Sequence, residues 1–358
     1  MIRVLCLIPH PTLGASGRLR LRQYRPFLRA AGIELTLSPF LDDRAYDVLY
    51  RPGALLQKVA GVMAGFLRRA RDLFRARGYD LVLIHRESAP IGPPVIERLL
   101  ELMRIAYVYD FDDALFVRHI HPANRRWAWL RPASRTAETT RGARAVITGN
   151  AYLAEWAARH NRDVTIIPTP VDTDLHRPAP RVESGRLVIG WVGSTTTAPY
   201  LHLLDEVFAV LADRLDFVIR VIGGPYSHPR ATVEEWPYRI ESEPTDIATF
   251  DIGILPEPDD AWSRGKGAFK ALLYMATGIP VVASAIGVNP SIVVDGVTGY
   301  CVSRTCEWID RIETLARDRA LRAKLGEGGR AHVLREHSVA VRAPRLAEVL
   351  MRTARTAP

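Results

Sequence analysis

Short, fully apolar, β-branched runs alternate along the chain with segments of helical spacing. In the first half, Arg3 to Ile8, Leu81 to His85, Ile105 to Tyr109 and Val146 to Thr148 read as strands, and Leu21 to Ala31, Val95 to Arg104 and Ala151 to His160 as helices. The strand runs show no in–out alternation, which is the pattern of parallel strands covered on both faces. After residue 185 the pattern restarts, with strands at Leu187 to Val192, Phe217 to Gly223, Asp251 to Leu255, Pro280 to Ala283 and Gly299 to Val302, and helices at Tyr200 to Asp213, Lys270 to Thr277 and Trp308 to Leu325. Pro168, Pro170, Pro178 and Pro180 between the halves suit a stiff connector. The pattern predicts an α/β chain of two doubly wound, Rossmann-like domains facing each other across a cleft, residues 1–175 and 186–340, with 341–358 as a C-terminal helix or tail that packs back on the first domain. Ligands of such sheets bind at the carboxyl ends of the strands, so function is sought in the loops directly after them.

Five such loops qualify. Pro9 to Gly17 ends in Gly14-Ala15-Ser16-Gly17 ahead of Arg18, Arg20 and Arg22; small residues admit a ligand to the backbone and a helix start attracts anions, although an ordinary flexible turn has the same composition. With only Gly14 and Gly17 in place it is not a G-x-G-x-x-G fingerprint, which disfavours a nicotinamide cofactor. Asp110-Phe111-Asp112-Asp113-Ala114-Leu115 sets three carboxylates at a strand end, where they bind a cation, hold sugar hydroxyls or cap a helix, and where mutual repulsion is expected to raise at least one pKa. The string also resembles the D-x-D-x-T-L of haloacid-dehalogenase phosphatases, with Ala114 in place of Thr. Ile167 to Asp172 closes the first half. Gly193-Ser194-Thr195-Thr196-Thr197 follows a strand and presents N–H and O–H donors to a phosphate, or merely caps a helix. The fifth loop, Glu257-Pro258-Asp259-Asp260 through Arg264-Gly265-Lys266-Gly267 to Lys270, joins a strand, a Gly-punctuated basic stretch and a helix start into a diphosphate cradle, against the alternative of a solvated charged loop.

Charge sharpens the fifth loop. The 358 residues carry 48 Lys and Arg against 39 Asp and Glu, net +9, with 48% hydrophobic and 24% charged residues, so the chain is globular and not disordered. Residues 1–180 hold 27 basic and 17 acidic residues and the remainder 21 and 22, so the excess belongs to the first half. Lysines number only four, Lys58, Lys266, Lys270 and Lys324, and two of them stand in the fifth loop. The three cysteines, Cys6, Cys301 and Cys306, have neither disulfide nor zinc spacing, and a reducing cytoplasm suits them. No signal peptide or membrane span is evident and no nucleic-acid-binding motif accompanies the charge. Two stretches have the composition of interfacial helices: the apolar run Leu55 to Leu67 followed by Arg68, Arg69, Arg71, Arg75 and Arg77, and Arg125-Arg126-Trp127-Ala128-Trp129-Leu130-Arg131. They point to an anionic membrane surface or an anionic acceptor, or to a solvated Arg-rich face.

The segments DIGILPEPDDAWSRGKGAFKALLYMATGIPVVASAIGVNPSIVVDGVTGYCV, IPTPVDTDLHRP, GWVGSTTTAPYL and LIPHPTLGASGRLRLRQYRPFLRAAGI together resemble family 4 of the retaining glycosyltransferases, which have the GT-B fold, in the family's order and over nearly the whole chain. The resemblance implies a nucleotide-diphosphate-sugar donor in the C-terminal domain, a glycan, lipid-linked or small-molecule acceptor in the N-terminal domain, no metal and no cofactor. It implies donor contacts at Gly193, Ser194, Thr195, Gly223, Gly265, Lys266, Gly267 and Lys270, and acceptor contacts at Gly14, Ser16, Gly17, Arg18, Asp110 and Asp113. Asp112 stands where many relatives have a strand-end His. The chain departs from the family in two places: Ser194 and, approximately, Tyr200 stand where the family has Arg and Lys, and the E-x7-E pair falls on Gly265 and Leu273. Arg264, Lys266 and Lys270 are then expected to supply the displaced positive charge, which makes Asp112, Lys266 and Arg264 the catalytic candidates. The same departures suit a catalytically silent GT-B partner subunit or sugar-nucleotide binding protein, and an epimerase of the same fold is a weaker third reading. The expected location is the cytoplasm, peripheral on the inner face of the plasma membrane.

Overall fold

The structure, a computed structural model, describes residues 1–11, 14–49, 53–117, 132, 134–179 and 185–355. The chain falls into two compact units, Met1–Pro170 with Arg342–Pro358, and Val171–Val341. The first unit is a six-stranded parallel sheet of β1 (Ile2–Ile8), β2 (Ile33–Pro39), β3 (Leu81–His85), β4 (Tyr107–Phe111), β5 (Ala145–Thr148) and β6 (Val164–Ile166), in the order β2-β1-β3-β4-β5-β6. The second has β7 (Leu187–Val192), β8 (Phe217–Ile222), β9 (Thr232–Trp236), β10 (Ile252–Leu255), β11 (Val281–Ser284) and β12 (Gly299–Val302), also all parallel, in the order β12-β11-β10-β7-β8-β9.

The central strands form where uninterrupted apolar runs bury both faces: Val4 through Ile8 in β1, and all of β3, are inaccessible to water. β2, β6 and β9, absent from the pattern-based reading, are all edge strands. Their one-sided burial lets in polar residues, as in Thr-Val-Glu-Glu-Trp of β9, where Glu234 pairs with Arg220 of β8 at 2.7 Å and the Arg220 guanidinium lies 4.2 Å over the Trp236 ring. Three helical runs prove segmented. Leu21 to Ala31 opens instead with a helix Ala15–Arg20, followed by a 3-10 turn and a helix Arg25–Ala30. Tyr200 to Asp213 is a 3-10 turn Ala198–Leu204 and a helix Asp205–Leu211. The third is split at Asp318, whose carboxylate caps the helix Arg319–Glu336 by accepting from Leu321 N at 2.8 Å, after a first helix Thr305–Arg317.

The last helix, Val339–Arg355, is grouped from Arg342 onward with the first unit, where Leu346 is buried and Arg352 donates to both oxygens of Asp163 at 2.7 and 2.9 Å. Among the described residues no helix is long and apolar enough to cross a membrane.

Strand order locates the sites. In the second unit the chain winds outward from β7 to β8 and β9, then crosses back to β10, β11 and β12, so the connections diverge between β7 and β10. In the first unit they diverge between β1 and β3. A crevice opens at the carboxyl end of such a divergence point.

Candidate functional site

In the second unit, the loops after β7 and β10 meet as that rule requires. β7 carries the fully buried Trp191 one residue before its end and runs into the turn Gly193 to Thr197, closed by Thr197 N donating to Ser194 O at 2.9 Å and by the paired Ser194 and Thr196 hydroxyls at 2.7 Å. Only glycine fits at Gly193, because a Cβ there would stand 2.3 Å from the Trp191 ring and 2.7 Å from Lys270 Nζ. Gly223, after β8, holds a φ of +89°, and a Cβ on it would stand 2.4 Å from Gly193 O. The two glycines therefore leave bare backbone at the head of the crevice.

The loop after β10 delivers the cations. Lys270 lies in the first turn of the helix Phe269–Ala276, its Nζ 4.2 Å over the Trp191 ring and 3.2 Å from Thr197 Oγ1, to which it donates. Burial pushes its pKa down, the neighbouring Lys266 pushes it further and Glu257 only partly offsets them, so the ammonium titrates at about 7. Lys266 Nζ stands 3.3 Å from Glu257 Oε1 and 4.5 Å over the ring of Tyr200. Glu257 is buried; its N–H donates to Ser284 Oγ at 2.9 Å and its Oε2 accepts from Asn289 Nδ2 at 3.1 Å. Two cations thus face one buried acid, a site with surplus positive charge.

Of the residues singled out in the sequence, Gly193, Gly223, Lys266 and Lys270 come together here. Ser194 and Thr195 are exposed on the turn, Gly265 is buried and Gly267 has open space where a Cβ would be. Arg264 ends the short helix Ala261–Arg264, capped by Asp260, and its guanidinium forks onto Asp259 at 2.7 and 3.1 Å. Glu257 went unassigned in the sequence; its only signal was an acid two residues beyond an apolar strand.

In the first unit the segment after β1 meets the carboxyl end of β3. Ser16, in the first turn of Ala15–Arg20, contacts His85 Nε2, and His85 Nδ1 lies 2.6 Å from Asp110 Oδ2. An ionised carboxylate only accepts, so Nδ1 carries a proton and donates to Asp110; in the neutral imidazole Nε2 then accepts from the Ser16 hydroxyl. Arg20 forks onto Asp110 through Nη2 and Nε at 2.7 and 3.0 Å and also holds the Ile167 carbonyl. Because β4 extends to Phe111, two residues past its expected end, Asp110 belongs to the sheet interior and not to a loop.

This overturns the expected carboxylate repulsion. Burial alone would raise the Asp110 pKa, but Arg20 and His85 outweigh it and hold the carboxyl well below its usual range. Asp112 and Asp113 turn the other way, both onto Arg86. The Ser16–His85–Asp110 relay was invisible in the sequence, where no Ser/His/Asp set stood out, because its members come from three separate strand ends. Gly14 caps the helix Ala15–Arg20 without a side-chain bond, and Gly17 and Arg18 lie within it. The cluster Arg125 to Arg131 lies outside the described residues.

Two family models match: the one for glycosyl transferases group 1 over residues 186–318, and the one for glycosyltransferase family 4 over residues 19–175. The D-inositol 3-phosphate glycosyltransferase of Actinosynnema mirum is 27% identical over 201 residues, 47% of either chain, so the match spans about half the length of that curated relative. Among solved structures, the sucrose-phosphate synthase of Thermosynechococcus elongatus aligns at a TM-score of 0.69 and 16% identity, covering 98% of this chain and 99% of its own. HepE of Anabaena in complex with UDP-glucose aligns at a TM-score of 0.69 and 17% identity, covering 98% and 100%. At such identities the likeness shows the fold, which is GT-B, with two Rossmann-like domains. Taken with the two matching models, the chain belongs to the group 1 glycosyltransferases.

Proposed function

We propose that this protein is a retaining, metal-independent glycosyltransferase that moves a sugar from a nucleoside-diphosphate sugar to a hydroxyl of a glycan, lipid-linked or small-molecule acceptor at the cytoplasmic face of an anionic membrane. The observation that carries this reading is the surplus positive charge of Lys266 and Lys270 beside the bare backbone of Gly193. Charge develops on the diphosphate as the glycosidic bond breaks, and fixed cations in a water-poor crevice stabilise it more in the transition state than in the ground state. Arg264, at the end of its short helix, adds a third cation once it exchanges Asp259 for the diphosphate. Glu257 takes a hydroxyl of the donor. No protein nucleophile is needed if the acceptor hydroxyl attacks on the face that the diphosphate leaves and gives its proton to the departing oxygen. On the acceptor side, Asp110 orients His85, Ser16 marks where a hydroxyl is accepted, and Asp112 and Asp113 hold further hydroxyls.

Because HepE is seen with UDP-glucose, that compound comes first in a donor panel. Release of nucleoside diphosphate is expected, with Lys266→Ala slower by about a hundredfold, the equivalent of ~3 kcal/mol; wild-type rates in that variant would refute the site. The second reading, a silent sugar-nucleotide binding or partner protein, is favoured by Gly265 and Leu273 at the places of the family's paired acids. It predicts calorimetric binding of a nucleotide without turnover on any acceptor.

A further inference from the structure

The helix Leu55–Ala76 is amphipathic with its faces reversed. Its inward face is Gly65, Arg69, Asp72 and Ala76, all buried. Gly65 lies against the Phe40 ring, where a Cβ would come within 2.4 Å. Arg69 pairs with Asp72 at 2.8 Å and donates to the carbonyls of Ile8 and Ser38 at 2.8 and 3.1 Å, and Asp72 also accepts from the Ser38 hydroxyl at 2.6 Å. The apolar residues point the other way: Leu56 is 86% exposed, Val59 52%, Met63 58%, Leu67 71% and Phe74 82%. Spaced by three, four, four and seven residues, they form one stripe about 27 Å long on the solvent side.

The charges beside the stripe say what covers it. Asp72, the only acid of the helix, is buried in the Arg69 pair. Arg71, Arg75 and Arg77 are exposed, Arg71 and Arg75 along one edge of the stripe and Arg77 along the other by helical spacing. A second copy of this helix packed stripe to stripe would offer these cations no acid in return, since Asp72 is buried. A bilayer rich in anionic headgroups satisfies both features at once, taking the side chains into the acyl boundary and the guanidinium groups on its phosphates.

We propose that the helix Leu55–Ala76 docks the first unit on an anionic lipid surface, with Leu56, Met63, Leu67 and Phe74 inserted and Arg71, Arg75 and Arg77 on the headgroups. This rests on the reading of the protein as working at an anionic membrane and is independent of the sugar-donor site. The test is co-sedimentation of the full chain with phosphatidylcholine vesicles, with and without phosphatidylglycerol, at low and high salt. Wild type is expected to bind the mixed vesicles, to release them as salt rises, and to leave pure phosphatidylcholine largely unbound. The triple variant Leu56→Gln/Met63→Gln/Leu67→Gln is expected to bind the mixed vesicles about a hundredfold more weakly at an unchanged melting temperature, since it removes only exposed apolar groups. Arg71→Gln/Arg75→Gln/Arg77→Gln is expected to lose the preference for the anionic lipid. The proposal is overturned if wild type binds neither vesicle or both equally, if the Leu/Met variant binds as wild type does, or if wild type is a dimer without lipid that this variant makes monomeric. Calorimetric titration of the same variants with UDP keeps the two readings apart, because a failed lipid result with intact nucleotide binding leaves the transferase reading standing.

Discussion

On the proposed donor site, Lys270 is expected to make the affinity for a nucleoside diphosphate depend on pH, with a slope set by its environment. In the ligand-free protein the ammonium titrates near 7 because it is buried and sits beside Lys266. A diphosphate placed over Gly193 cancels that repulsion and returns the pKa toward the ordinary lysine value near 10.4. Between those two values binding takes up a proton, so affinity falls as pH rises. The terminal phosphate, with a pKa near 6, is already ionised over this range and adds no opposing slope. At pH 7 about half of the free protein carries the charged form and at pH 9 about one part in a hundred, so affinity is expected to fall about fiftyfold, or ~2.3 kcal/mol. Isothermal titration with UDP in buffers of different ionisation enthalpy is expected to show uptake of about half a proton at pH 7 and nearly one at pH 8. Lys270→Met is expected to bind weakly with no such slope. It is also expected to melt higher at and below pH 7, since the penalty of a buried ammonium is fully present below the folded pKa and vanishes as pH rises through the unfolded one. An affinity constant from pH 7 to 9, or a slope that survives in Lys270→Met, would refute the reasoning.

Gly193→Ala drives a methyl into the Trp191 ring and toward Lys270 Nζ; thermal melts are expected to show a loss of about 1–3 kcal/mol, and UDP titration a further loss of affinity. Asp110→Asn leaves the Arg20 guanidinium buried without its carboxylate, at a cost of about 3–5 kcal/mol in urea unfolding. Because the folded pKa of Asp110 is depressed, the stability it contributes in the wild type is complete above the unfolded value near 3.9 and is lost as pH falls through the folded one, and the Asn variant is expected to lack that acid-side loss. Urea midpoints of the two proteins that run parallel below pH 5 would count against this pairing.

What could be read from the chain follows from which forces leave a local trace. Both sheets were legible because buried parallel strands need unbroken apolar runs, as in Leu81 to His85. Of the four edge strands only Gly299 to Val302 was read; the others were not, as with Thr232 to Trp236, which balances a cross-strand ion pair against half-exposure and so reads as loop. The same holds for the sites. Lys266 and Lys270 could be singled out because they lie four residues apart and lysine is scarce. The relay of Ser16, His85 and Asp110 could not, because 69 and 25 residues separate its members and only the strand order brings them together. The three-Asp string misled for a related reason. Along the chain its acids look like neighbours, but Asp110 lies inside β4 and reaches Arg20, while Asp112 and Asp113 lie past the end of that strand and turn to Arg86.

The departures from the family acquire a physical logic in the second unit. Where relatives place a lysine after the first Gly-rich turn, this chain has Tyr200, and the Lys266 ammonium lies 4.5 Å over that ring. Where they place an arginine next to the glycine, it has Ser194, and the Lys270 ammonium comes so close to Gly193 that even a methyl there would crowd it. Both cations lie over aromatic faces, Tyr200 and Trp191, which stabilise positive charge without neutralising it, and Lys266 is in addition paired with Glu257. The Lys270 charge, held on a ring, remains available to an incoming anion, whereas Lys266 must first loosen its pair with Glu257. The loop after β10 can therefore take over a role that the loop after β7 has given up, and on this reading the crevice should tolerate Ser194→Ala far better than loss of either lysine.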